Sequence, residues 1–166
     1  MKTPSSIKTS FAPIEHANIE ILILGSMPGE KSLQEQEYYA HLQNRFWKVM
    51  AYVTKSELPQ NYDQKTAMLL AHNIGLWDVV HQAERVGSLD TAIENESPND
   101  LESFIEMHKK LKIIAFNGKK SETLYRKYFN PKPQIQYVAL PSTSPANAGI
   151  RFDGLCEKWS ILQRQF

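Results

Sequence analysis

The sequence has a single cysteine, Cys156, among its 166 residues. One cysteine cannot form a disulfide within the chain, and it cannot supply the four thiolates of a zinc or iron–sulfur site. No apolar run approaches the roughly 18 residues of a membrane-spanning helix, and mean hydropathy is −0.44. Residues 1–13 lack the continuous apolar core of a signal peptide. We therefore expect a cytoplasmic protein that makes no membrane contact.

The sequence also lacks the short motifs that bind common cofactors. It contains no Walker phosphate loop, GxGxxG, HExxH or paired CxxC, so neither a nucleotide cofactor nor a metal ion is indicated. The GxSxG elbow of many serine hydrolases is missing as well. Four of the five histidines are scattered from residue 41 onward, and each alone is more readily structural than catalytic: His41, His72, His81 and His108. We expect a protein that works without a cofactor.

The length fits one domain, since domains typically hold roughly 100–200 residues. We expect residues 1–166 to form it, with residues 1–13 as a loose N-terminal arm. The 19 basic and 18 acidic residues nearly cancel, but they are not evenly spread. Residues 84–106 are strongly acidic, whereas residues 109–132 are strongly basic. A nearly neutral chain of this kind can still present one basic face to a polyanion, although an ordinary solvated surface fits the pattern equally well.

Apolar runs predict the strands and helical spacing predicts the helices. Buried strands are expected at residues 19–24, 112–116 and 135–140, and a weaker candidate follows at 76–80. Helices are expected at residues 44–54, 64–73, 119–129 and 153–165, and a further one begins with Ser97 as its cap and Pro98 in its first position. Strands that alternate with helices predict an α/β fold, a three-layer sandwich around a central, mostly parallel four-stranded sheet.

Three loops of this fold are candidates for a ligand site. In open α/β sheets, ligands bind beyond the carboxyl ends of the strands. The predicted strands end in residues 25–29 (GSMPG), 117–120 (NGKK) and 141–147 (PSTSPAN). Their glycine, proline, serine and asparagine residues allow tight turns and present amides and hydroxyls to a ligand. Each loop alone could simply be a turn, but all three are expected at one edge of the sheet.

Residues 38–47 (YYAHLQNRFW) combine four aromatic residues with two amides, a histidine and an arginine. A stacking surface beside amide groups is what a pocket for a planar heterocycle needs. At least one of Phe46 and Trp47 is expected in the core. Tyr39 and Asn44 fit a core less well, because a buried asparagine has several hydrogen bonds to satisfy.

These segments resemble motifs of the uracil-DNA glycosylase superfamily. Residues 25–29 resemble its first motif and residues 140–145 (LPSTSP) its second, while residues 44–49 (NRFWKV) and 116–119 (FNGK) resemble the mismatch-specific uracil/thymine branch. The closest resemblance is to the hypoxanthine-DNA (deoxyinosine) glycosylase branch, through residues 25–29, 38–47 and 141–147. It spans roughly residues 19 to 150. It implies a uracil-DNA glycosylase-like fold.

Three positions depart from the superfamily pattern. Met27 stands where most members carry a catalytic Asp or Asn, and a thioether cannot activate water. Leu140 stands where His or Asn usually stabilises the departing pyrimidine, and Leu42 replaces a proline. The resemblance instead implies Asn44 as the catalytic amide, either holding the water through its carbonyl oxygen or donating to the purine.

The resemblance also implies the other residues of the site. The base pocket is expected to comprise Gly25, Ser26, Met27, Pro28, Tyr39, His41, Phe46 and Asn117. DNA contacts are expected from Ser142, Thr143, Ser144, Pro145, Ala146, Lys119 and Lys120. Pro145 and Ala146 would lie near the gap left by the flipped base.

The implied function is hydrolytic excision of a deaminated base, hypoxanthine from deoxyinosine, by a monomer acting on double-stranded DNA during base excision repair. Flipping the nucleotide out of the helix costs a few kcal/mol and is easiest at a mispair. A uracil or mismatch glycosylase remains an alternative. Met27 and Leu140 also leave open a non-catalytic binder of damaged DNA, and a hydrolase of free nucleotides with a similar fold is a third possibility.

Overall fold

The structure is a computed structural model, and it describes residues 7–165. The described chain alternates strands with helices, as the apolar runs predict. Its strands are β1 (Ile7–Thr9), β2 (Ile21–Gly25), β3 (Ile74–Asp78), β4 (Val80–Glu84), β5 (Glu94–Pro98), β6 (Ile113–Asn117) and β7 (Gln136–Leu140). Its α-helices are α1 (Glu30–Glu35), α2 (Phe46–Val53), α3 (Tyr62–Ala71), α4 (Leu101–Met107), α5 (Lys119–Tyr128) and α6 (Phe152–Trp159). Short 3-10 helices occupy Asp90–Ala92, Pro145–Asn147 and Ser160–Gln165.

The central sheet has four parallel strands in the order β3-β2-β6-β7. Every residue of β2 is buried, and Ile23 lies opposite Leu76 on one side and Ala115 on the other. A parallel strand covered on both faces is expected to be apolar throughout, and this one is. The weaker strand candidate at 76–80 overlaps β3 at residues 76–78, but β3 begins two residues earlier and Val80 already belongs to β4. The predicted fold class is confirmed, and the carboxyl ends of all four strands meet at one edge.

Helices cover both faces of this sheet. One core cluster contains Phe46 and Met50 of α2, Leu69 of α3 and Trp159 of α6. The other face carries α4 and α5, whose inner residues pack against Leu22 and Phe116 in a second cluster. The sheet and the helices packed on its two faces form the three layers.

A second sheet, with antiparallel order β1-β4-β5, was not predicted. Its strands are short and largely polar, so no apolar run marks them. The expected helix start at Ser97 is wrong, because Ser97 and Pro98 belong to β5. Helix α4 begins at Leu101 instead, where the Asp100 side chain accepts a hydrogen bond from the Ser103 amide at 3.1 Å.

The prediction of a loose arm is wrong for residues 7–13. Strand β1 pairs with β4, and Ile14 bridges to Leu76. Trp77 donates its ring N–H to the Phe11 carbonyl at 2.9 Å, and the Tyr38 hydroxyl donates to the Ala12 carbonyl at 2.8 Å. Residues 1–6 of that expected arm lie outside the described chain. Between residues 7 and 165, no helix is long and apolar enough to cross a membrane.

Candidate active site at the carboxyl edge of the sheet

A cavity of about 850 Å³ opens at the carboxyl edge of the parallel sheet. All three candidate loops line it, together with the segment that precedes α2. Of the expected site residues, the cavity is lined by Gly25, Ser26, Met27, Pro28, Tyr39, His41, Asn44, Asn117, Lys119, Ser142, Thr143, Ser144, Pro145 and Ala146. Elements far apart in sequence therefore meet where the sheet topology predicts a ligand site.

Phe46 and Thr143 are both fully buried. Phe46 is fully buried and does not line the cavity; its ring stacks on Tyr39 with centroids 4.2 Å apart, so it supports the cavity wall from behind. Thr143 is fully buried too, and its hydroxyl bonds to the side chains of Asn44 and Asn117, so its DNA contact stays a prediction. Lys120 is not among the lining residues, so its DNA contact stays a prediction.

A chain of three polar side chains fixes the orientation of Asn44. The Thr143 amide donates to Asn117 Oδ1 at 3.0 Å, so Asn117 Nδ2 must donate to Thr143 Oγ1, also at 3.0 Å. The Thr143 hydroxyl then directs its proton to Asn44 Oδ1 at 2.9 Å. The Phe46 amide donates to the same oxygen at 3.0 Å. Every proton in this chain has one direction, because a backbone N–H can only donate.

The hydrogen bonds of Asn44 leave its amide nitrogen for a ligand. An amide oxygen has two lone pairs, and Asn44 Oδ1 accepts from Thr143 and from Phe46. The carbonyl oxygen is thus already saturated by the protein. What Asn44 offers to the cavity is the N–H₂ donor, on a side chain that is half-buried at the cavity wall.

Arg45 anchors the loop that carries Thr143. Its guanidinium donates to the carbonyls of Ile150 at 2.6 Å and Asn147 at 3.1 Å, while its amide donates to the Thr143 carbonyl at 3.1 Å. Trp159 of α6 adds a bond from its ring N–H to the Pro141 carbonyl at 2.9 Å. These bonds hold residues 141–150 against the start of α2, and they place Thr143 beside Asn44.

Asp78 is a residue of the candidate site that no sequence motif pointed to. It is the last residue of β3, it lines the cavity, and its side chain is 3% exposed. Within the described chain, its Oδ2 atom is buried without a hydrogen-bond partner, and so is the Tyr39 hydroxyl. Both side chains flank Gly25: a methyl group there would lie 2.6 Å from Asp78 Oδ1 and 2.8 Å from the Tyr39 hydroxyl.

Burial raises the pKa of Asp78 from 3.8 to about 7. The neighbouring Asp90 carboxylate also raises this pKa, and the Arg85 guanidinium lowers it. Asp90 accepts a hydrogen bond from the Ser26 hydroxyl at 2.5 Å, while Arg85 donates to the Pro28 carbonyl. Burial raises the pKa of Tyr39, and the charge of Asp78 raises it further. The Asn117 side-chain amide lowers this pKa by a smaller amount. Tyr39 therefore keeps its proton throughout the physiological range.

The sequence did not mark either Asp78 or Asp90 as a site residue. Asp78 is the middle residue of the weaker strand candidate at 76–80, and the rule that ligands bind beyond the carboxyl ends of strands points to it only because β3 ends there. Asp90 comes from the loop between β4 and β5, strands that had no signature in the sequence. Across the residues that the structure describes, no three His, Cys, Asp or Glu side chains are grouped so that they could hold a metal ion.

Two lysines of the basic stretch form ion pairs with glutamates of the acidic stretch. Lys127 pairs with Glu96 at 3.0 Å, and Lys132 pairs with Glu102 at 2.6 Å. Lys119, in contrast, is exposed and lines the cavity at the start of α5. Only part of the basic stretch therefore faces the candidate site.

The fold and the cavity together define an α/β protein with a cavity at the carboxyl edge of a parallel sheet. The model of the uracil DNA glycosylase superfamily matches residues 13–163. The chain belongs to that superfamily.

Two relatives and one solved structure are similar over most of the chain. A hypoxanthine DNA glycosylase from Methanosarcina acetivorans is 39% identical over 145 residues, which is 85% of this chain and 89% of the relative. One from Methanosarcina barkeri is 40% identical over 115 residues, which is 69% of this chain and 73% of the relative. A solution structure from M. acetivorans, described as a candidate uracil DNA glycosylase, aligns with a TM-score of 0.81 at 34% identity and covers 96% of this chain and 99% of its own.

Proposed function

We propose that this protein is a monofunctional DNA glycosylase that excises hypoxanthine from deoxyinosine in double-stranded DNA. The observation that carries the proposal is the Asn44 amide, whose oxygen is saturated by Thr143 and Phe46 and whose nitrogen is left to donate into the cavity. Superfamily membership and the two relatives named as hypoxanthine DNA glycosylases support the choice of reaction and base. The cavity, at about 850 Å³, has the size of a small-ligand pocket.

The reaction would need little acid–base assistance from the protein. Water adds to C1′ of the sugar as the bond to the base nitrogen breaks, and the electron pair of that bond leaves with the base. A proton from the water balances the charge, so the products are free hypoxanthine and an abasic sugar. A donor aimed at the departing base stabilises the negative charge that develops there, and one such fixed donor is worth about 100-fold in rate.

The orientation of Asn44 favours contact with the base over activation of water. Water would be activated by an acceptor, and the Asn44 acceptor atom is already occupied twice. Met27 and Leu140, which replace the usual polar groups, are 7% and 6% exposed and contribute apolar wall. In this proposal the leaving group is stabilised by the Asn44 N–H₂ group, and the water is held by the substrate and solvent.

The loop of residues 141–147 would track the DNA backbone. Ser142 and Ser144 are half-buried at the cavity mouth, next to Pro145 and Ala146 of the short 3-10 helix. Lys119 adds a positive charge beside them. We include in the proposal a monomer acting in the cytoplasm, and size-exclusion chromatography with light scattering checks the monomer.

The test is single-turnover release of hypoxanthine from an inosine-containing duplex. Asn44→Ala is expected to lower the rate by about 100-fold, whereas Gln43→Ala, which removes an exposed amide one residue away, should retain the wild-type rate. Equal rates for wild type and Asn44→Ala would remove Asn44 from the mechanism. Absence of release by the wild-type protein would overturn the proposed function.

Uracil excision is the second candidate function. It is favoured by the 34% identical solved structure, which is described as a candidate uracil DNA glycosylase. A panel of duplexes that carry hypoxanthine, uracil or xanthine at one position decides between the two. Faster release of uracil than of hypoxanthine would select the alternative.

A further inference from the structure

We propose that Asp78 and Tyr39 distinguish a deaminated base from a normal one by the positions of the hydrogen-bond donors and acceptors on its edge. We call this pair of residues the polarity filter. Asp78 accepts a hydrogen bond from the ring N–H of the base, and the Tyr39 hydroxyl donates to the adjacent carbonyl oxygen. The inference rests on the proposed function and names the groups that select the base at that site.

In the described part of the chain, each of these two side chains has a buried polar atom that forms no hydrogen bond. In residues 7–165, Asp78 Oδ2 and the Tyr39 hydroxyl are buried without hydrogen-bond partners, and leaving such groups unpaired destabilises the folded protein. Both residues line the cavity, and the other carboxylate oxygen, Asp78 Oδ1, flanks the bare Cα of Gly25 together with the Tyr39 hydroxyl. Unpaired buried groups that border a cavity are explained if a ligand satisfies them.

Both groups are held in place by the surrounding structure. Asp78 ends β3 in register with Gly25 of β2, so the sheet sets the height of its carboxylate. Tyr39 has a left-handed backbone conformation, with φ of 54°, and its ring stacks on the fully buried Phe46. A filter needs such fixed groups, because a mobile side chain could turn to suit the wrong base.

Deamination inverts the hydrogen-bonding polarity of a base edge. Adenine presents an acceptor ring nitrogen beside an amino donor, whereas hypoxanthine presents a ring N–H donor beside a carbonyl acceptor. Cytosine and uracil differ in the same way. An acceptor at Asp78 beside a donor at Tyr39 therefore matches the deaminated edge and opposes the normal one. A site built to pair with one polarity rejects the other strongly, since the wrong base leaves its buried groups unpaired.

The filter depends on the ionisation of Asp78. The charged and titratable groups that act on it are Asp90, which raises its pKa, and Arg85, which lowers it, while its charge acts in turn on Tyr39 and Tyr38. With a pKa of about 7, Asp78 is an acceptor only above that pH. Below that pH, the protonated carboxyl group gains a hydrogen-bond donor and can also pair with adenine. The preference for hypoxanthine over adenine should therefore decrease.

The test measures binding without chemistry. Fluorescence anisotropy compares two duplexes that differ in one non-cleavable nucleotide, 2′-fluoro-deoxyinosine or 2′-fluoro-deoxyadenosine, opposite thymine. Because every variant is tested on the same two duplexes, differences in base-pairing strength cancel when the affinity ratio of a variant is divided by that of the wild type. At roughly pH 8, Asp78→Asn is expected to lower the ratio of inosine to adenosine affinity about tenfold, because an amide offers both a donor and an acceptor.

Three further variants sharpen the test. Tyr39→Phe keeps the stacked ring and should weaken inosine binding about tenfold. In the wild type, the ratio of inosine to adenosine affinity should fall as the pH is lowered from about 8 to about 6. Asp90→Asn should move the midpoint of this fall to lower pH. Asp78→Asn should abolish the pH dependence of the ratio. Asp63→Asn, at an exposed carboxylate on α3, should match the wild type throughout.

The outcomes separate the inference from the proposed function. If Asp78→Asn retains both the wild-type ratio and its pH dependence, the filter is refuted, whatever the excision assay shows. A wild-type protein that prefers inosine in this binding assay but releases no base refutes the enzyme and keeps the filter. Thermal unfolding of each variant checks that the fold is intact.

Discussion

Replacing Asp78 by asparagine should stabilise the folded protein at alkaline pH, although Asp78 lies in the candidate site. The carboxyl group is 3% exposed and its pKa is about 7, against an ordinary value of 3.8. The folded protein thus holds this proton more tightly than the unfolded chain does. The stability that the protonated form contributes is fully present below about pH 4 and is lost as the pH rises through about 7.

The size of the effect follows from the same shift. Each pKa unit corresponds to about 1.4 kcal/mol, so ionised Asp78 destabilises the fold by up to roughly 4 kcal/mol at pH 8. Asparagine has nearly the same shape and carries no charge, but its amide is also left short of partners. We therefore expect Asp78→Asn to raise the free energy of unfolding by about 1–3 kcal/mol at pH 8. Near pH 4, where the wild-type carboxyl is protonated, the variant should be less stable than the wild type by about 1–3 kcal/mol, because the cost of its unpartnered amide does not depend on pH.

Urea unfolding at several pH values between about 4 and 8 measures this difference, provided that the slope of the unfolding free energy with urea stays the same. Asp63→Asn is the matched control, since Asp63 is exposed on α3 and its replacement should leave the pH dependence of the wild type unchanged. A stability difference between wild type and Asp78→Asn that does not vary with pH would refute the reasoning. So would a variant that is less stable than the wild type at pH 8.

Three other changes have expected outcomes. Thr143→Val removes the hydroxyl that orients Asn44, so single-turnover hypoxanthine release should fall about tenfold to 100-fold, and chemical denaturation should show a loss of about 1–3 kcal/mol. Gly25→Ala places a methyl group 2.6 Å from a carboxylate oxygen, so it should abolish the preference for inosine DNA in anisotropy while circular dichroism stays unchanged. Lys119→Ala should reduce the slope of log DNA affinity against log salt concentration by about one, the contribution of one phosphate contact. Lys127→Ala should leave this slope unchanged, because Lys127 is paired with Glu96.

The parts of the fold that the sequence predicts are those with a local signature. The apolar residues 21–24 predict a buried strand wherever they occur, and Gly25 marks its end. The rule that ligands bind at the carboxyl edge then brings the loops at 25–29, 117–120 and 141–147 together without any knowledge of side-chain contacts. Strands β1, β4 and β5 carry no such signal, since each is short, polar and stabilised by partners distant in sequence.

The roles of individual side chains depend on burial, which the sequence does not show. Thr143 sits in a run of serines and prolines that is typical of an exposed loop, yet Arg45 and Trp159 hold that loop so that Thr143 points inward. Lys127 and Lys132 look available to a polyanion until Glu96 and Glu102 are seen beside them. In both cases a residue's function is set by a neighbour from another part of the chain.

The candidate site contains polar groups of two kinds, and the difference between them explains how it could both orient and select. Asn44, Thr143 and Asn117 satisfy one another, so their geometry is fixed before any ligand arrives. Asp78 and Tyr39 are left unsatisfied, and this lowers the stability of the empty protein. A base of matching polarity relieves that penalty and a base of opposite polarity does not, so the instability of the empty site becomes a difference in affinity between the two bases. A catalytic donor must be preorganised, whereas a selective group must depend on the ligand for its hydrogen bonds. One cavity combines the two kinds of group because the sheet edge brings β3 to one side of Gly25 and the segment before α2 to the other.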